Sequence, residues 1–494
     1  MHRISQLLCL LLLTACSSSV QSGLPSISAP VTSNPNTPQT PTIFTPEVNP
    51  TSVLVAVPST HPSFTPPDQV PLPPSYTLQA IMNYNLHRLE VNETISYQNT
   101  TGQTLTGLVL AVEPNLWVGC FNLDSLTVGD EDVVVKLNQD RLELHLATPL
   151  VPGKIAYLSL RYSLDLPAVD SHHVFGYNNL QVNLVDWYPF IVPYSDGWLM
   201  HPPANVGEHL VYDQADFDVT VTFTDPTLPI TVAASAAVAS KAGIWHYVLD
   251  NARTFVFSAS TAYQSIMINT DGVTITSYFF ENDKTPGRAV LGEVSKAITT
   301  FNSLFGPCPH KSLSIVESPF YDGLEYDGLF FLSRDFYKED DGTVLNNLVD
   351  IAVHETAHQW WFGSVGNDQA LEPWLDEAMA TYSERLFYEK NYPDVTSWWN
   401  FRVDAYAPSG WVDEDIYHSG GFRTYANAVY LRGAQFLEAL RRRVGDEAFF
   451  AFLKDYATQM AGRRATADDF FRVLRQCTPV DFADIQQAFF QRIH

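Results

Sequence analysis

His354-Glu355-Thr356-Ala357-His358 sets two imidazoles four residues apart around a carboxylate. On a helix, positions i and i+4 share a face, so both rings can reach one cation while Glu355 lies alongside it. Neutral imidazole suits zinc, and a hydrolytic zinc site needs three protein ligands and one open position. The third ligand is expected from Glu377, separated from His358 by eighteen intervening residues, within Trp374-Leu375-Asp376-Glu377. A second helix packed antiparallel to the first would return that carboxylate to the histidines. His354, His358 and Glu377 are therefore expected to hold one Zn2+ per chain, with Glu355 left free as general base. Glu384 stands seven positions after Glu377 on the same helix face. It either braces a ligand histidine or lies in solvent as a surface carboxylate.

Helical spacing around these residues covers 346–362 and 374–390, and further helices are expected at 289–304, 425–444, 447–460 and 481–493. Gly306-Pro307 stops the first of them, and Thr466 with Asp469 forms a capping box for a helix to Gln476. Upstream, 87–97, 141–146, 218–223 and 254–258 alternate or cluster apolar residues between turn signals, as antiparallel strands do. The whole reads as α+β, with a β-rich domain over 76–264 and a mostly helical one over 265–494.

The joint pattern of HExxH, eighteen residues and Glu resembles the aminopeptidase N and leukotriene-hydrolase group of zinc peptidases, peptidase family M1. His358-Gln359-Trp360-Trp361-Phe362-Gly363 and Trp374-Leu375-Asp376-Glu377 are similar to that family's HQWF-G and WLNE segments. Gly323-Leu324-Glu325-Tyr326-Asp327-Gly328-Leu329 resembles its GAMEN-type strand, with Asp322 in place of the usual first glycine and Leu324 in place of methionine. The resemblance implies that Glu325 anchors the free α-amine of a peptide and that Gly323 lets the strand backbone approach it. Tyr430-Leu431-Arg432-Gly433 resembles the family's Tyr-x-Lys-Gly segment, which implies that Tyr430 stabilises the oxyanion, with Tyr425 a weaker neighbour.

The fold so implied is an antiparallel β-sandwich or saddle followed by a thermolysin-like zinc peptidase domain. The activity implied is release of N-terminal residues from peptides with a free N-terminus. Full-sized family enzymes carry several hundred further residues of helical domain over the cleft, so a more open cleft is expected here. Cleavage within peptides, other zinc hydrolysis, or a non-catalytic binding role on the same scaffold are the competing readings.

Composition narrows the setting. The 494 residues include 54 acidic against 28 basic side chains, a net charge of −26 that disfavours nucleic acid as a partner. The chain opens with Arg3, an apolar run from Leu7 to Leu13, and Leu13-Thr14-Ala15-Cys16. Residues 1–16 read as a secretory signal whose end resembles a bacterial lipobox, which implies lipidation of Cys16 after cleavage; the alternative is ordinary cleavage near Ala15. A lipid anchor in a bilayer and an extracytoplasmic location follow from the first reading. Residues 17–75 hold fourteen of the 32 prolines among Ser, Thr and Asn, and read as a disordered tether with one apolar run at Val53–Val57.

Several residues invite and lose a functional reading. His172 and His173 are adjacent, which suits loop residues better than a ligand pair. Gln181 and Asn183 are weak candidates for a polar pocket wall, and His418 reads as surface. Cys120, Cys308 and Cys477 show no metal spacing, leaving one bridge or three thiols.

Overall fold

The computed structural model describes residues 72–241 and 243–494. The signal segment, Cys16 and nearly all of the expected tether, including Val53–Val57, lie outside the described residues. Ser75, the expected last residue of the tether, is already the first residue of a strand.

Strands Ser75–Asn83 and Arg88–Gln98 bury every second residue, the pattern of a sheet with one covered face. They lie in an eight-stranded sheet, where Ser75–Asn83 runs antiparallel to Arg88–Gln98 and parallel to Ala215–Phe223. This region also holds two four-stranded sheets, one built on Thr231–Ala234 and Phe257–Ser260, the other on Leu105–Ala111 and Arg141–Leu150, and a two-stranded one of Tyr194–Ser195 and Gly197–Trp198. Leu78, Ile95, Leu158, Leu160, Val219 and Phe255 are among the buried side chains of the core they share.

A separate five-stranded sheet begins at Gln264, so the expected boundary at 264/265 falls at the first residue of a strand. Its order is Gln264–Thr270, Val273–Phe279, Ser312–Ser318, Leu329–Ser333, Leu324–Tyr326, with both central pairings parallel. The domain expected to be mostly helical thus carries a mixed sheet of its own. Leu324–Tyr326 is an edge strand, paired among the described residues only with Leu329–Ser333.

Arg253 fastens the β-rich region to the helical one. It is 3% exposed, and its guanidinium donates to the carbonyls of Phe362 at 2.6 Å, Tyr212 at 2.9 Å and Arg463 at 2.9 Å. Its backbone N–H donates to Asp327 Oδ2 at 2.8 Å, which also accepts from the Thr254 N–H at 3.0 Å. Asp327 lies two residues beyond Glu325, so the lock fixes the turn that follows the edge strand. A buried charge is tolerable when every polar edge is satisfied in this way.

Two helices differ from expectation where function concentrates. The Asn347–Ala357 helix, capped by the Asn346 side chain on the Val349 N–H, ends five residues before the expected 362. Beyond it the chain makes wider turns, with the N–H groups of Gly363, Ser364 and Val365 donating to carbonyls five residues back. The expected 425–444 helix is three pieces: Phe422–Ala426, a π-type turn at Asn427–Arg432, and Gly433–Val444. The last expected helix shortens to Ala483–Phe489. The capping box of Thr466 and Asp469 is present at Ala467–Cys477.

Candidate active site

The Asn347–Ala357 helix presents His354 and Glu355, and His358 follows at its C-terminal end. The Trp374–Asn391 helix packs beside it and brings Glu377 into its first turn. All four side chains are buried, at 1–4% exposure. His354 Nε2 lies 3.1 Å from Glu377 Oε2 and 3.1 Å from His358 Nε2, and His358 Nε2 lies 3.4 Å from the same carboxylate oxygen. Donors bonded at about 2.0–2.2 Å to a tetrahedral ion stand about 3.3–3.6 Å apart, close to this triangle.

The tautomers sharpen the fit. His354 Nδ1 lies 2.9 Å from Glu384 Oε1, and His358 Nδ1 lies 3.0 Å from the Trp361 carbonyl. Both partners only accept, so both Nδ1 atoms carry hydrogen, and in neutral rings both Nε2 lone pairs face each other and a carboxylate. Such a cluster requires a cation. Burial opposes charge on the His354 ring, yet Glu377 and Glu384 outweigh it and raise its pKa to about 9. Glu377 is likewise held down to about 2, against the effect of burial, by the two imidazoles. Two imidazoles and a carboxylate with the fourth side open onto a cavity suit zinc.

The wide turns after Ala357 now have a reason, since they carry the Trp361 carbonyl back to His358 Nδ1. Glu384 is fully buried, not solvated, and Arg402 grips it through Nε at 2.7 Å and Nη2 at 2.9 Å. Tyr430, on the π-type turn, donates to Glu377 Oε1 at 2.5 Å, and its ring stacks on His354. π-Bulges recur at functional positions because they rotate one side chain out of helical register. A Cβ at Gly433 would collide with Ala378, so glycine is what lets this segment close on the Glu377 helix. Tyr425 sits behind Tyr430 with its ring buried and its hydroxyl unpartnered.

A cavity of about 380 Å³ opens on this centre, lined among others by Glu355, Glu377, Tyr430, Glu325 and Gly323. Glu355 Oε2 is buried with no partner, an acceptor awaiting a proton donor. Burial pushes the Glu355 pKa well above the usual carboxylate range; the histidines oppose this, and Glu325 and Glu377 reinforce it. A buried carboxyl without a fixed partner beside the ligand cluster is placed for proton transfer. Carboxylate oxygens of Glu208, Glu325 and Glu377 lie within 4.8 Å of one another. Burial raises both Glu208 and Glu325, and each is raised further by neighbouring carboxylates.

Residues 293–491 match the peptidase family M1 domain. Over these residues the chain is similar to M1 peptidase domains. The rice Aminopeptidase M1-D is 25% identical over 225 residues, covering 42% of this chain and 26% of that protein. Aminopeptidase N of Lactobacillus helveticus is 23% identical over 272 residues, covering 50% of this chain and 32% of that protein. The matches thus span about a quarter to a third of the length of these curated relatives. Among solved structures, the M1 zinc metallopeptidase of Deinococcus radiodurans superposes with a TM-score of 0.61 at 19% identity, covering 84% of this chain and 93% of that one. A mutant of that protein bound to a Tyr-Ser-Ala substrate gives a TM-score of 0.60. The β-rich region followed by the helical one is therefore similar in fold to the two-domain M1 metallopeptidase structures.

The structure brings together His354, Glu355, His358, Glu377, Glu384, Tyr430, Glu325 and Gly323 at this site. Sequence reasoning missed Arg402, Glu208 and Asp322, which also line the cavity. In the sequence Asp322 reads only as a departure from the GAMEN-type strand, Arg402 and Glu208 sit at no motif spacing, and Glu208 enters from a loop of the β-rich region. His172, read as a loop residue, also lines the cavity. Gln181 and Asn183 do not: Gln181 Nε2 donates to Asn183 Oδ1 at 2.8 Å within the β-rich core. His418 is exposed and paired with Asp415, and the three described cysteines are free thiols.

Proposed function

We propose that this chain is a zinc-dependent aminopeptidase that binds peptides by their free N-terminus. The observation that carries the reading is the cluster of Glu208, Glu325 and Glu377 beside the paired histidines. Three carboxylates within 4.8 Å of one another favour a cation, and the α-ammonium of a peptide is a cation that substrate itself supplies. The outer edge of Leu324–Tyr326, unpaired among the described residues, offers backbone groups to an extended peptide, as strand addition requires.

His354, His358 and Glu377 would hold zinc, which when bound polarises a carbonyl and acidifies water. Glu355 takes a proton from the attacking water on Oε2 and returns it to the leaving amine. Tyr430 turns its hydroxyl from Glu377 Oε1 to the oxygen on which negative charge develops. Glu325 and Glu208 fix the ammonium, so that the first peptide bond is the one presented. Gln369, donating to Glu325 Oε1 at 3.2 Å, orients that carboxylate.

The test is Glu325→Ala assayed on aminoacyl reporters and on N-acetylated peptides. Loss of the first activity alone supports amine anchoring. Equal turnover of blocked and free peptides in the unaltered enzyme would establish an endopeptidase, and no chelator-sensitive turnover of either would leave a binding protein.

We also propose that Cys16 is lipidated and anchors the chain, outside the cytoplasm, to a bacterial membrane. The support is the Leu13-Thr14-Ala15-Cys16 segment. Among the described residues, no helix is long and apolar enough to cross a membrane. Cys16→Ser should release the protein from the membrane fraction; an unchanged distribution would refute the anchor.

A further inference from the structure

His209, Glu113 and Asp140 converge from three separate segments. Glu113 opens the short 3-10 helix Glu113–Leu116, Asp140 lies in the turn between Val135–Asn138 and Arg141–Leu150, and His209 follows Glu208 in a loop. His209 Nε2 lies 3.3 Å from Glu113 Oε2 and 3.6 Å from Asp140 Oδ2. All three atoms are shielded from solvent, and none makes a hydrogen bond. Asp140 is only 5% exposed, so its unpartnered oxygen points into the cluster from a buried side chain.

These contacts are looser than the other sheltered histidine–carboxylate pairs outside the His354 centre, among the described residues. Elsewhere in the chain, the sheltered pairs His310–Asp327 and His201–Asp368 close to 2.9 Å as hydrogen bonds. The His209 contacts stay at 3.3 and 3.6 Å, the separations of donors around a common ion bound at about 2.0–2.2 Å. Once His209 has given up its proton, two carboxylates and an imidazole carry two negative charges, the complement of a divalent cation. Glu113 and His209 also line a cavity of about 190 Å³, which leaves room for water in the remaining positions.

We propose that Glu113, Asp140 and His209 form a second metal site, distinct from the His354 centre, that takes a divalent cation such as zinc. Imidazole with carboxylates suits such ions, and binding displaces any proton held on His209 Nε2. The same cavity is lined by Glu208 and Glu325, so an ion here pins the loop that aims Glu208 at the cleft. The site does not depend on the peptidase reading.

The test is zinc stoichiometry of the full chain by equilibrium dialysis and elemental analysis. Two ions per chain are expected in the wild type, and one in a His354→Ala/His358→Ala double variant. Asp140→Asn with His209→Gln should lower the wild-type count from two to one. Should those substitutions impair folding, the His354→Ala/His358→Ala chain alone decides, since zinc should still raise its Tm. No zinc and no zinc-dependent Tm shift in the His354→Ala/His358→Ala chain, or a wild-type count that Asp140→Asn with His209→Gln leaves unchanged, would each overturn the second site.

Discussion

Glu384 Oε1 stands 2.9 Å from His354 Nδ1. The same carboxylate is held by Arg402, so an arginine outside the ligand set fixes the orientation of a ligand ring. Burial works against ionised Glu384, and the Arg402 charge with the His354 contact overcomes it, keeping the pKa below the ordinary carboxylate value. Glu384→Gln should weaken zinc binding about 10- to 100-fold, the usual cost of losing a carboxylate behind a ligand histidine. Competition against a chromogenic chelator measures this directly. Arg402→Met should be worse for the fold, because it strands a buried carboxylate at a cost of about 3–5 kcal/mol. Urea unfolding of the chelated protein checks that value, and an unchanged midpoint would refute the role given to Arg402.

Tyr430→Phe separates the hydroxyl from the ring. The ring stacks on His354 with centroids 5.8 Å apart, a contact phenylalanine keeps. Zinc content and Tm should therefore stay near wild type. Loss of one donor to a developing oxyanion typically lowers kcat about 10²- to 10³-fold, and that is the expected effect. A drop confined to KM would assign Tyr430 to substrate binding instead.

Asp350, one turn before His354, gives a pH dependence with a definite sign. It is 1% exposed, and its Oδ1 accepts from the Tyr388 hydroxyl at 2.6 Å and Trp398 Nε1 at 2.9 Å. Burial, assisted by the Glu384 charge and opposed by Arg402, pushes its pKa up to about 7. The folded chain thus binds this proton more tightly than the unfolded chain, whose aspartate titrates near about 3.9. The contribution to stability is full below that value, declines as pH rises toward about 7, and is flat above. Asp350→Asn accepts the same two hydrogen bonds without titrating. Its Tm relative to wild type should therefore climb between about pH 4 and pH 7, whereas a constant difference would contradict the raised pKa.

How much of this site was legible in the sequence depends on whether the geometry is local. The HExxH face and the Glu377 return follow from helical periodicity, and Thr466 with Asp469 from a capping pattern three residues long. Glu384 was placed on the correct face, but its choice between ligand and solvent turned on Arg402, eighteen residues away on the short Trp398–Arg402 helix. No period links those two segments. Glu208 reaches the cleft from a loop of the β-rich region, and the Arg253–Asp327 lock joins segments 74 residues apart. The helix read through 425–444 hid a π-type turn because apolar spacing continues across it. The local signal was Gly433, whose missing Cβ permits close packing on Ala378. The five-stranded sheet escaped because its central strands are nearly continuously buried, and such runs do not alternate.

Gly323 offers the most selective perturbation of the proposed base. A Cβ built there would run into Glu355 Oε1 and approach Ile351 Cγ2 to 2.5 Å. The carboxylate tip is the more movable neighbour, so Gly323→Ala should push Glu355 aside while the strand pairing of Leu324–Tyr326 persists. Overpacking of this size costs about 1–3 kcal/mol, small enough for the enzyme to remain folded. The ligand triangle is untouched, so zinc content should be unchanged. A displaced base forfeits proton transfer, and kcat should fall about 10²- to 10⁴-fold, as it should for Glu355→Gln. Combining the two substitutions should add little, because both act on one group. Fully additive losses in the double variant would show that Gly323 acts on substrate independently of Glu355.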